Sequence, residues 1–90
     1  MTENVFLALQ ANDDARPIVE AIEKDNPDVD VSYQPAMIRM TAPGKLTVLR
    51  ETVSELIGRD WDPQELHLVL ISFGGNVEED EDQFTISWAS

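Results

Sequence analysis

One stripe of apolar residues sets the frame for the rest of the chain. In "LTVLRETVSELIG", Leu46, Leu49, Val53, Leu56 and Ile57 fall at i, i+3, i+7, i+10 and i+11, and Gly58 stands where a helix would stop. That spacing predicts an amphipathic helix over 46–58 with a glycine C-cap. Around it the sequence alternates between helical and strand periods in short segments, each closed by Pro, Gly or Asn. A chain of 90 residues read this way is one small domain, spanning 1–90, that must share a single core among all its elements.

The flanking segments fill in the order. "NVFLALQ" is apolar on both sides, as in a central strand covered on both faces. "ANDDARPIVEAIEKDNP" predicts a helix, with Asp13 or Asp14 as cap, Pro17 early, a stripe of Ala15, Ile18, Val19 and Ile22, and Asn26-Pro27 as its end. "DVDVSY" and "MIRMTA" predict a hairpin, with Val29, Val31, Tyr33, Ile38 and Met40 facing inward. "APGK" breaks the chain, and "DWDPQEL" carries a capping box (Asp62, Pro63, Glu65) that predicts one helical turn. "LHLVLISF" predicts a second central strand. "QFTISW" predicts its amphipathic neighbour, with Phe84, Ile86 and Trp88 in and Thr85 and Ser87 out. "GGNVEEDED" joins them as a solvated acidic loop. The expected fold is α+β in the order β-α-β-β-α-β-β, one sheet covered by two helices, with Trp61 and Trp88 closing the ends of the core.

Charge and residue inventory exclude several functions. Six basic against 18 acidic residues give a net charge of −12, which repels nucleic acids and anionic membranes and suits a basic protein partner. Without cysteine there is neither a disulfide nor a thiolate. "MTENVFLALQ" lacks the charged and apolar regions of a signal peptide, and no apolar run is long enough to span a bilayer, so a cytoplasmic protein is expected. The single histidine, His67, reads as a strand residue with no second histidine to complete a metal site. No serine sits in a nucleophile elbow. The acids Glu78–Asp82 are contiguous, unlike the alternating ligands of a calcium loop. Arg39 and Arg59 read as surface charges balancing nearby acids. No catalytic residue, metal site or cofactor site is expected, which leaves a protein that acts by binding. Gly74-Gly75-Asn76 fits a plain turn or bulge and a docking edge equally well.

The segments "FLALQANDDARPIVEAI", "QPAMIRMTA", "LRETVSELIGRDWDPQEL" and "ISFGGNVEEDEDQFTISW" together resemble the regulatory (effector, or coupling) proteins of bacterial multicomponent di-iron monooxygenases, most closely those of phenol hydroxylases. The resemblance runs from Val5 to Trp88 and does not include the long N-terminal tail of the methane monooxygenase relatives. It implies a cofactorless, non-catalytic component. Its partner would be the oxygenase (hydroxylase) component, where binding couples NADH and O2 consumption to hydroxylation of a phenol. It also implies that Ile71, Ser72, Phe73, Gly74, Gly75 and Asn76 face that partner, which tilts the glycine turn toward docking. A β-branched residue at Gly75 is then expected to impair stimulation while leaving the isolated chain folded. An exposed edge strand would also allow a homodimer. The competing reading is a free-standing acidic binding or inhibitor module unrelated to oxygenases.

Overall fold

The computed structural model describes residues 4–88, so the first three residues of the stretch read for a leader lie outside it. In chain order it holds β1 (Asn4–Gln10), α1 (Arg16–Asp25), β2 (Asp30–Tyr33), β3 (Met37–Pro43), β4 (Lys45–Leu49), α2 (Arg50–Ile57), a 3₁₀ helix (Pro63–Leu68), β5 (Leu70–Gly74), β6 (Asn76–Glu79) and β7 (Gln83–Ser87). The α+β class is as expected. The strand count and the single sheet are not, because the strands form two antiparallel sheets, ordered β2-β3-β1-β5 and β4-β7-β6.

The main departure lies in the helix expected over 46–58. Its first part is β4, and only Arg50–Ile57 is helical. Leu46 and Leu49 fit a helical stripe, but Leu46 and Val48 equally fit a strand, and the partner strand decides. Leu46 lies opposite Ile86 and Val48 opposite Phe84, and all four are fully buried. Burying Leu46 and Val48 contributes roughly 3–6 kcal/mol together, against a few tenths per residue from helix propensity. Tertiary packing therefore wins, and Leu56 is left largely exposed instead of in the core. The helix starts where the chain leaves β4, with Arg50 N–H donating to the Asp82 carbonyl at 2.9 Å. It ends as predicted at Gly58, in the left-handed region at φ 75°.

Other elements follow the pattern more closely. β1 is central, with Val5, Leu7 and Leu9 buried on one face and Ala8 on the other. Ala15, Ile18, Val19 and Ile22 are buried as expected and hold α1 against β4 and α2. Neither Asp13 nor Asp14 caps α1. Ala15 occupies the cap position, and its N–H donates to the Asn12 side-chain oxygen at 3.0 Å, so the turn before the helix is held one residue earlier than expected. Asn26 does more than stop the helix. Its amide donates to the carbonyls of Ile22 and Thr47, both at 2.8 Å, and its oxygen accepts from Thr47 N–H at 3.0 Å. That side chain supplies the hydrogen bonds that the outer edge of β4 would otherwise lack.

β5 is an edge strand, not a central one, and it begins later than the apolar run suggests. The capping box forms as predicted, with Gln64 N–H on the Asp62 carboxylate at 2.9 Å and Asp62 N–H on Glu65 at 2.9 Å. It draws the chain through Leu68 into the 3₁₀ helix, so His67 lies there and not on a strand. Tyr33 is exposed because β2 forms the other edge. Phe84, Ile86 and Trp61 are in the core. Trp88 is half-exposed, its indole N–H donating to the Asn4 carbonyl at 2.9 Å, and Thr85 is buried where exposure was expected.

Candidate docking surface

The strip Ile71–Asn76 is continuous in sequence but divided in space. In the register of β1 and β5, Leu7 opposes Phe73, Ala8 opposes Ser72 and Phe6 opposes Gly74, while Ile71 is displaced by a bulge between Ala8 and Leu9. Directly opposed residues share a face. Ser72 and Gly74 therefore lie on the side of the sheet turned away from the core, and Phe73 lies on the Leu7 side, at the rim. Ile71 and Phe73 are 48% and 43% exposed, an unusual cost for apolar side chains on a sheet edge. Asn76 is exposed and opens β6, in the other sheet. The two glycines thus stand where the chain passes from one sheet to the other.

Their role is first of all internal. Gly75 has φ 139°, and a side chain there would bring its Cβ to 2.5 Å from Ile86 Cγ2 and 3.1 Å from Val5 Cγ1. A Cβ on Gly74 would run into the Phe6 ring. The sequence expectation that a β-branched residue at Gly75 leaves the fold intact is therefore corrected: both positions are glycine because the core and the Phe6 ring occupy the space.

Two of the arginines are held by carboxylates within the chain. Arg50 grips Asp60 with two hydrogen bonds (3.1 and 2.7 Å) and donates to the Glu81 carbonyl at 2.9 Å. Arg59 balances Glu65 as expected, at 2.8 and 3.1 Å. Arg59 and the Asp62 N–H together lower the Glu65 carboxyl from 4.5 to about 2. Asp60 is likewise lowered, through Arg50. Arg39 departs from expectation: it pairs with no carboxylate among the described residues and instead lies over the Phe6 ring, 4.2 Å from its centroid. His67 Nε2 sits 3.0 and 3.1 Å from the two Glu79 oxygens. The acidic run is solvated as expected, with Glu78–Asp82 all exposed, but it is not all loop. Glu78 and Glu79 belong to β6, and the Asp80 carboxylate accepts from the N–H groups of Asp82 and Gln83, at 2.8 and 2.9 Å, to close the β6–β7 turn. No cluster of metal-ligating side chains occurs among the described residues, and no described helix is long and apolar enough to cross a membrane. The surface offers exposed apolar side chains, Ile71 and Phe73, on an edge strand beside an outward sheet face that carries Arg39 stacked on Phe6.

Comparison with known proteins says which proteins share this arrangement. The MmoB/DmpM family matches residues 3–87. The chain belongs to that family. It is 50% identical, over 88 residues and 98% of both chains, to the stimulatory component DmpM of phenol 2-monooxygenase from Pseudomonas sp. (strain CF600). A chain in the structure of the phenol hydroxylase–regulatory protein complex superposes with a TM-score of 0.93 at 48% identity, covering 97% of this chain and 100% of that one. Regulatory protein B of soluble methane monooxygenase superposes with a TM-score of 0.74 at 27% identity, over 96% of this chain and 65% of that one. The kinship read from the sequence, with regulatory and not catalytic components of multicomponent monooxygenases, is correct.

Proposed function

We propose that this MmoB/DmpM-family chain is the stimulatory component of a phenol hydroxylase. In this reading it has no reaction of its own, binds the hydroxylase component and couples NADH and O2 consumption to hydroxylation of a phenol. The observation that carries the reading is the fold match over nearly the whole chain, at close to half identity, to a regulatory protein held in complex with phenol hydroxylase. The same kinship supports a cytoplasmic placement.

Ile71, Ser72, Phe73, Gly74 and Asn76 form the proposed contact, Gly75 holding the strand end in place behind them. Two exposed apolar side chains on an edge strand supply the area to bury, and the acidic field speeds encounter with a basic surface. The chain shifts the hydroxylase between conformations only as far as it binds one better than the other. The test adds the chain to the purified hydroxylase and reductase of the phenol 2-monooxygenase that DmpM serves, and follows phenol-dependent NADH consumption. A saturable rise supports the proposal. No rise at any dose overturns it.

A further inference from the structure

The side of the first sheet turned away from the core is an open surface four strands wide. Register places Ser32, Arg39, Ala8 and Ser72 in one row across β2, β3, β1 and β5, with Phe6 and Gly74 neighbours in the next row. Ser32, Arg39 and Ser72 stand exposed, and the Phe6 ring lies beside Gly74 in the room left by the missing side chain. In a chain with 18 acidic and six basic residues, the two arginines of the α2 region are bound to Asp60 and Glu65. Arg39 is not. It is pinned flat on Phe6, 4.2 Å from the ring centroid, with its N–H fork unused among the described residues. A guanidinium already fixed by stacking loses little further freedom when it takes a carboxylate through two parallel hydrogen bonds.

We propose that this open face is a second part of the docking surface, on which an α-helix of the hydroxylase lays an Asp or Glu carboxylate into the fork of Arg39. The inference rests on the function proposed above and adds to it the face, the residue and the chemistry of the partner. A helix is the fitting occupant because sheet faces are closed by a layer of helices, whereas an extended segment adds along an edge. Ser72 is exposed and small, and the Phe6 ring lies folded over Gly74, so a helix can approach closely beside Arg39. Ser72 and Gly74 belong to both the face and the strand-end strip, so the two surfaces are continuous. Charge gives the contact its selectivity. On this face exposed Asp30, in the row of Thr41, Phe6 and Gly74, repels a partner carboxylate while Arg39 accepts it, which fixes the register of docking.

The experiment measures binding of the full chain to the purified hydroxylase of the phenol 2-monooxygenase that DmpM serves, by titration calorimetry. The variants are Arg39→Gln, Arg39→Lys and, as a control with the same charge change, Lys24→Gln on the exposed last turn of α1. Losing a charge-assisted bidentate pair is expected to raise Kd about tenfold or more in Arg39→Gln, with Arg39→Lys in between because an ammonium has no fork. Lys24→Gln is expected to stay within about twofold. Arg39→Gln binding like the wild type, Arg39→Lys binding like the wild type, or Lys24→Gln weakened as much as Arg39→Gln would each overturn the inference while leaving the proposed function standing. Failure of the wild-type chain to bind removes both.

Discussion

Replacing Gly75 with alanine separates the internal role of the glycine turn from a role at the partner surface. Two costs follow from the structure. A side chain at φ 139° is strained, at about 1–3 kcal/mol. The added methyl would sit 2.5 Å from Ile86 Cγ2, and such overpacking costs about 1–3 kcal/mol. The sum, about 2–6 kcal/mol, is a large part of the roughly 5–15 kcal/mol that stabilises a small domain. For a domain of this size each kcal/mol moves Tm by about 4–8 °C, so Gly75→Ala should melt at least about 8 °C lower. The methyl would point inward, at Ile86 and Val5, and not at a partner. At a temperature where both chains are folded, saturating Gly75→Ala should therefore stimulate the hydroxylase nearly as well as the wild type. The assays are thermal unfolding by circular dichroism and NADH consumption in the reconstituted system. An unchanged Tm together with lost stimulation would refute the reasoning and make the glycine a contact residue.

Asn26→Ala removes three hydrogen bonds, one to the Ile22 carbonyl of α1 and two to Thr47 of β4, at about 0.5–1.5 kcal/mol each. Urea unfolding should show a loss of about 2–4 kcal/mol with little change in m. Glu65 has its folded pKa lowered from 4.5 to about 2, so its contribution is complete above pH 4.5 and is lost as the pH falls through about 2. Tm measured against pH should accordingly show Glu65→Gln below the wild type at neutral pH, with the gap closing between pH 4.5 and 2; a gap that stays constant would contradict the assignment. Ile71→Asp and Phe73→Asp place charges on exposed apolar positions of β5. Each should raise the amount of chain needed for half-maximal stimulation about tenfold while shifting Tm by only a few degrees.

Much of the fold was legible where a local signal and the tertiary environment agree. The α1 stripe, the Asp62–Glu65 capping box, Gly58 and the central β1 all carry their explanation within a few residues of sequence. β4 does not, because Leu46, Val48 and Leu49 satisfy two periods at once and only the distant β7 chooses between them. Likewise "LHLVLISF" is apolar on both sides, yet the strand is an edge. Its Ile71 and Phe73 are exposed and not part of the core. The candidate strip was located by resemblance, but its division between two faces depends on the β1–β5 register. The same holds for Arg39 and Phe6, which lie on different strands and stack in space. Asn26 read as a helix stop, and nothing local marks it as the residue that also binds Thr47.

The most direct measurement of the central claim is the ratio of phenol hydroxylated to NADH consumed, as the chain is titrated into hydroxylase and reductase. The account predicts that the ratio climbs with added chain and levels off once the hydroxylase is saturated. A ratio independent of the chain, with no complex between the two proteins at the highest concentrations used, would contradict it.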